Sequence, residues 1–176
     1  KATKLTPLKI QGVDTGMGLE RLAMVSQGKK NIFETDLFTD FISLLPKTGF
    51  TERSKRILAD HVRAISFLIS DGVLPSNKDA GYVLRRLIRR VIVHEYLYTG
   101  IERINIDALF NEVIENYKEA YPELNERILT VFEDESKKFR KTLDIGLQEL
   151  NRMYLIDAKS AFKLYESYGL PFEVIK

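Results

Sequence analysis

The sequence predicts a mainly α-helical protein with one short strand near its N-terminus. Over most of the chain, apolar residues recur three and four positions apart, which is the spacing of helices that bury one stripe. Glycine and proline stand mostly at the ends of these periodic segments. Before residue 19, a short mixture of apolar and polar residues leads into two glycines spaced by one residue, which indicates a strand and a close-packed turn.

The predicted helices follow from this periodicity, and each ends near a residue that stops a helix. In chain order they are an unbroken run of helix formers at 19–25, a short amphipathic segment at 34–45, one-striped helices at 54–70 and about 80–98, a further helix at 106–120, a long one at about 125–154 and a last one at 157–169. The expected stops include Gly28, Pro46, Gly72, Gly100, Pro122, Gly169 and Pro171. The long helix keeps one apolar seam, interrupted only by Gly146, which costs about 1 kcal/mol relative to alanine. Asp157 is expected to cap the last helix.

Composition is that of an ordinary soluble protein. The chain has 176 residues, of which 44% are hydrophobic and 30% charged, enough for one core or for one domain with a piece of its neighbour. No apolar run reaches the roughly 18 residues of a membrane span, and the first residues lack the apolar stretch of a signal peptide. We therefore expect a cytoplasmic protein with no membrane partner. Without cysteine, and with only His61 and His94, no structural metal is expected.

Charge is unevenly distributed along the chain. The formal net charge is +2, but residues 51–100 carry nine basic and five acidic side chains, whereas residues 101–176 carry eleven basic and fifteen acidic ones. A polyanion would therefore meet the middle of the chain before its C-terminal part. The sequence begins without methionine and ends without a polar tail, so we expect it to be a piece of a longer protein.

The helix at about residues 80–98 is predicted to carry arginines on one face and aliphatic residues on the other. At 100° per residue, four guanidinium groups fall within about 140° of one another: Arg85, Arg86, Arg89 and Arg90. A solvated face is the usual reading of such arginines, and Arg85 and Arg90, nearest the apolar boundary, are equally open to intramolecular ion pairs. The loop before the helix contains Ser76, Asn77 and Asp79, all competent N-caps.

A second segment that suggests chemistry is VDTGMGLERL at residues 13–22. Small residues let a flat ligand lie against the backbone, and an arginine at the start of the following helix can reach a phosphate or stack on a base. On spacing alone, two such glycines equally mark a plain turn. In that case Asp14 would have a turn or capping role and Arg21 a surface ion pair.

This segment resembles the third conserved motif of class II aminoacyl-tRNA synthetases, in the form found in the alanyl-tRNA synthetase family. The resemblance implies that its strand and helix form one wall of the site where alanine is joined to ATP. It assigns the ATP contact to Arg21 and the partner of alanine's amino group to Asp14, as the catalytic residues, while Gly16 and Gly18 keep the pocket floor open. ATP is then a substrate. Mg²⁺ is implied as well, although the sequence offers no ligand cluster for it.

Three further segments resemble the helical tRNA-recognition region of the same family: ADHVRA at 59–64, DGVLPSN at 71–77 and GYVLRRLIRR at 81–90. In the family, an asparagine at the position of Asn77 helps to recognise a G·U wobble pair in the tRNA acceptor stem. Its amide offers both a donor and an acceptor to a base edge, while guanidinium groups position phosphates. The resemblance thus assigns tRNA binding to Asn77 and the four arginines. The alternative for Asn77 is an N-cap role alone.

The segment AFKLYESYGLPF at 161–172 also resembles the family. There an aspartate stands at the position of Glu166 and partners the asparagine across the wobble pair. Glutamate keeps the charge but is one methylene longer, so either the backbone sits slightly further back or the contact is made differently. Glu166 completes the predicted tRNA-binding residues.

The resemblance implies two domains: residues 1–28 as the end of a class II catalytic core, and residues 29–176 as a helical tRNA-recognition domain. We expect part of an enzyme that activates alanine with ATP and transfers it to tRNA(Ala). The other class II motifs, the rest of the catalytic sheet and the editing domain would lie outside these residues, so the segment alone should be inactive. The alternatives are a non-catalytic RNA-binding module derived from a synthetase, and a helical protein-interaction domain, which would show no salt-dependent affinity for tRNA.

Overall fold

The protein is mainly α-helical, as predicted. The computed structural model describes residues 7, 9–98, 104–168 and 170–175. Within these ranges the α-helices are α1 Leu19–Ser26, α2 Asp36–Ser43, α3 Glu52–Ser70, α4 Asp79–Tyr96, α5 Ile106–Tyr117, α6 Arg127–Arg152, α7 Ala158–Tyr168 and α8 Phe172–Ile175. In the described part of the chain, no helix has the length and apolar character that a membrane crossing requires. The expected stops Gly100 and Gly169 lie outside the described residues.

The strand predicted before the first helix is not confirmed. Residues 9–18 form neither strand nor helix and are exposed, and the described residues contain no strand elsewhere. A strand is stable when a neighbour takes up its backbone hydrogen bonds, and the described residues supply no such neighbour. The helix that follows does form, as α1, and Gly28 lies just after it with a φ of +61°.

The chain divides into two compact units, Lys1–Thr39 and Asp40–Lys176. In the first unit, the Gln27 side chain joins the end of α1 to the start of α2. Its Nε2 donates to Asp36 Oδ1 at 2.7 Å, and the Asp36 backbone N–H donates to its Oε1 at 3.2 Å. Between them lies a 3-10 turn at Ile32–Glu34, and the rings of Phe33 and Phe38 are 4.9 Å apart. The predicted domain boundary after residue 28 stays a prediction.

The core of the second unit forms where α3, α4, α5 and α6 meet. α4 packs against both α3 and α6, and α3 also packs against α5. The fully buried side chains include Leu58, Ile65, Leu84, Ile88, Phe110, Phe139 and Leu164. Because α4 lies between two partners, it has two sides that face protein. This arrangement decides where its arginines go.

Two predicted helix starts have different outcomes. Asp157 is confirmed as a cap, because its Oδ1 accepts the Ser160 backbone N–H at 2.7 Å at the start of α7. The predicted caps of α4 are wrong: the N-cap is Lys78, which makes no side-chain cap bond, and Asp79 is the first helical residue, with a φ of +49°. The left-handed conformation is better tolerated by aspartate than by most side chains. Asn77 therefore does not cap α4.

Gly146 has a packing role within α6. It is buried, and a Cβ at this position would lie 2.5 Å from Cγ of Leu170. Leu170 is itself fully buried, in the segment that follows α7. The helix-weakening glycine is therefore compensated by close packing that a side chain would prevent.

Candidate functional site

The glycine-flanked segment of the first unit is open to solvent. Asp14 is exposed, and Thr15 Oγ1 donates to its Oδ2 at 3.3 Å. Arg21 is exposed on the first turns of α1. A Cβ on Gly16 would meet nothing within 4 Å, and one on Gly18 would meet only nearby side chains at 3.8 Å or more. Within the described part of this unit, packing therefore does not require glycine at either position.

The structure does not bring Asp14 and Arg21 into contact within the first unit. Nor does any group of three acidic or histidine side chains cluster around a possible metal position among the described residues. What the segment offers is an exposed carboxylate, an exposed guanidinium and a short stretch of backbone without bulky side chains.

In the second unit, the loop before α4 is held in one shape by its own contacts. The Ser76 backbone N–H donates to the carbonyl of Gly81 at 3.1 Å. The Ser76 hydroxyl donates to the Lys78 carbonyl at 2.9 Å and accepts the Lys78 N–H at 3.2 Å. A Cβ on Gly81 would lie 2.3 Å from Ser76 Oγ and 2.5 Å from the Leu74 carbonyl oxygen, so glycine is required there. The loop presents Asn77 to solvent.

Two of the four arginines turn toward α6. The carboxylate of Glu135 is only 4% exposed, and its Oε1 lies 3.2 Å from Arg85 Nε and 3.4 Å from Arg89 Nη2. Arg85 also reaches the loop, where its Nη1 donates to Oδ1 of Asn77. The guanidinium of Arg89 lies 5.1 Å from the centroid of the Phe139 ring. A carboxylate removed from water needs such partners, and the two arginines supply them.

Arg90 turns the other way, toward α3. Its Nη1 lies 3.3 Å from His61 Nε2, and His61 Nδ1 lies 3.0 Å from Asp60 Oδ2. A guanidinium only donates, so Nε2 is the acceptor and the imidazole proton sits on Nδ1, which donates to Asp60. This hydrogen bond is the main reason that the pKa of Asp60 is lowered, and the charges of Arg63 and Arg90 act in the same direction.

The prediction that all four arginines share one face of α4 is therefore wrong in detail. Of the four arginines, Arg86 is the one that stays exposed, and its guanidinium lies 5.8 Å from the centroid of the Tyr82 ring. The other three engage neighbouring helices. Arg85 makes the ion pair that was its alternative, whereas Arg90 contacts the imidazole of His61. A helical wheel shows that the four arginines share one polar arc of α4. It does not show that α3 and α6 border that arc on its two sides.

Tyr82 lies beside Arg86 on the exposed side of α4, a position that the sequence analysis did not single out. It is 46% exposed, one turn before Arg86 and close to the Asn77 loop in sequence. The sequence signal for this position was the spacing of four residues between Tyr82 and Arg86, which places the two side chains next to each other on a helix. Glu166 is exposed on α7, as its predicted role requires, but no contact joins it to Asn77 in the described residues.

Comparison with known proteins defines the class. The family described as tRNA synthetases class II (A) matches residues 1–176, so the chain belongs to the class II (A) tRNA synthetases.

The similar individual proteins are alanine–tRNA ligases. The chain is 44% identical to the one from Halorhodospira halophila over 183 residues, 41% to that of Methylococcus capsulatus over 183 residues, and 38% to that of Fusobacterium nucleatum subsp. nucleatum over 190 residues. Each match covers 97% of this chain but only 21% or 22% of the relative. The chain thus spans about a fifth of the length of the curated relatives it matches.

Proposed function

We propose that the chain is part of an alanine–tRNA ligase, which activates alanine with ATP and transfers it to tRNA(Ala). The observation that carries the proposal is the similarity to proteins of that name over 97% of the chain. The first unit would contribute to the ATP and alanine site, and the second would recognise the acceptor stem.

In the first unit, Arg21 would bind ATP and Asp14 the amino group of alanine. A guanidinium offers paired donors to phosphate oxygens, and a carboxylate is the natural partner of an ammonium group. Both side chains are exposed, and the glycines at 16 and 18 leave the backbone between them accessible to a small ligand. This geometry supports a role in binding and orienting the two substrates of the activation step.

In the second unit, Asn77, Arg86 and Glu166 would contact tRNA directly. The amide of Asn77 can meet a base edge in the shallow minor groove, and exposed Arg86 can pair with a phosphate. Glu166 can accept a hydrogen bond from an amino group on a base edge. Arg85, Arg89 and Arg90 would support this surface through their contacts with Asn77, Glu135 and His61.

The ATP role of Arg21 is tested in the full-length enzyme. Arg21→Ala should lower alanine-dependent pyrophosphate exchange by about a hundredfold, because a charge-assisted contact to the reacting phosphates is lost. Exchange at the wild-type rate would refute that role. A full-length protein that binds tRNA(Ala) but never exchanges pyrophosphate would instead support the non-catalytic RNA-binding module.

The tRNA role of Asn77 has a complementary test. Asn77→Ala should reduce the kcat/KM of charging by roughly tenfold while pyrophosphate exchange stays at the wild-type level, since one base-edge contact is worth about 1–3 kcal/mol. The comparison uses acceptor stems with G·U and G·C at the wobble position. Equal charging of both stems by the wild-type enzyme would remove the basis for this assignment.

A further inference from the structure

We propose that Glu135 on α6 is a positioning residue for tRNA recognition. Acting through Arg85, it holds the Asn77 side chain so that the amide NH₂ group, and not the oxygen, faces the ligand. The inference rests on the proposed role of Asn77 in tRNA binding. Glu135 itself touches no substrate in this arrangement.

The first step is the burial of Glu135. Its side chain is 4% exposed, and its Oε1 is shared by Arg85 and Arg89. A buried carboxylate holds its cationic partners strongly, because Glu135 has almost no water as an alternative partner. The side chain of Arg85 is 24% exposed, so its direction is set largely by this ion pair.

The second step follows from the donors of arginine. A guanidinium has N–H groups and no acceptor, so the Asn77 atom that meets Arg85 Nη1 must be the amide oxygen. That contact fixes which way the amide lies, a choice that otherwise depends on its hydrogen-bond partners. Within the described part of the chain, no group accepts a hydrogen bond from Nδ2 of Asn77, which is exposed.

The third step is that both the backbone and the side chain of Asn77 are held in place. The backbone is held by the Ser76 hydrogen bonds and by the close approach of Gly81, and the side chain is held by Arg85. A group held before binding loses less conformational entropy when it binds. The matching ligand group is a hydrogen-bond acceptor on a base edge, such as pyrimidine O2. Uracil in a G·U wobble pair is displaced from the position of cytosine in G·C, so this acceptor lies at a different place in the two pairs.

The main test uses Glu135→Gln in the full-length enzyme, with Glu133→Gln as the matched control. Glu133 lies on the same helix, but it is exposed and pairs with Lys137 at 2.8 Å. For each variant, the kcat/KM of charging is measured on acceptor minihelices with G·U and with G·C, together with pyrophosphate exchange. Glu135→Gln should lower the preference for G·U by about tenfold, because the direction of one hydrogen bond is lost. Glu133→Gln should leave that preference unchanged, and neither variant should change pyrophosphate exchange.

A second variant tests the donor assignment itself. Asn77→Asp keeps an oxygen for Arg85 but replaces the outward NH₂ group by an acceptor. It should lose the preference for G·U as fully as Asn77→Ala does, without a change in thermal stability. An aspartate variant that still prefers G·U as the wild type does would overturn the proposal.

A double mutant separates positioning from a general effect on the fold. If Glu135 acts through Asn77, Glu135→Gln should cause no further loss of preference in the Asn77→Ala background. The same additional loss in both backgrounds would mean that Glu135 acts elsewhere, and the inference would fail.

Arg85→Lys provides a further route should Glu135→Gln fail to fold. One ammonium group cannot pair with Glu135 and reach Asn77 in the way that the arginine fork does. It should therefore reproduce the tenfold loss of preference, and an unchanged preference would count against the inference. Failure of the proposed function looks different, because Asn77→Ala would then have no effect on preference.

Discussion

At the scale of single residues, glycines show how the same residue type serves different purposes along one chain. Gly81 is required by close packing, since an added Cβ would meet a backbone carbonyl oxygen that cannot move aside. A Cβ added at Gly16 would meet nothing within 4 Å, so in the proposed site this glycine leaves room for a ligand. Sequence spacing alone does not distinguish these two cases.

Gly81→Ala should destabilise the chain by about 1–3 kcal/mol, the usual effect of forcing extra volume into a packed site. The clash with Ser76 and Leu74 would open the loop that carries Asn77. Urea-induced unfolding measures the change, and Gly12→Ala is the matched control, because a Cβ at Gly12 meets nothing within 4 Å. Equal stability of the two variants would contradict the loop geometry described above.

At the scale of elements, α4 is joined to its neighbours by polar side chains on both flanks. Arg85 and Arg89 reach Glu135 on α6, and Arg90 reaches the His61–Asp60 pair on α3. These contacts lie beside the aliphatic core of Leu84, Ile88 and Val91. The orientation of α4, and with it the loop at its start, therefore depends on charge as well as on apolar burial.

We expect the contribution of Asp60 to the stability of the protein to depend on pH. Its pKa is lowered from the ordinary value of 3.8 in the folded protein, chiefly by the hydrogen bond from His61. A lowered folded pKa stabilises the protein above the unfolded value, and the contribution is lost as pH falls through the folded pKa.

Asp60→Asn should therefore cost stability at neutral pH, by up to about 1 kcal/mol for a partly exposed pair, and the difference from wild type should shrink below pH 3.8. Urea unfolding of both proteins across the acid range measures it, with exposed Asp144→Asn as the control. A difference that stays constant down to the lowest pH would exclude the proposed origin.

At the scale of the whole molecule, periodicity predicted the helices and their order because each helix buries a local stripe. The C-terminal end of α3 at Ser70, just before Gly72, and the capped start of α7 followed from chemistry close in sequence. The pairing of Arg85 with Glu135 did not, because the two residues are fifty positions apart and only the fold brings them together. The predicted strand depended on backbone partners that the described residues do not supply.

The space left by Gly146 on α6 bears on the position of Glu166 on the proposed RNA surface. Leu170 fills that gap, and its backbone N–H donates to the carbonyl of Leu164 on the helix that carries Glu166. A methyl group at 146 would force Leu170 to shift, and Leu170 is hydrogen-bonded to the helix that carries Glu166. On the proposed RNA surface, the position of Glu166 is therefore linked, through Leu170, to a residue that has no side chain.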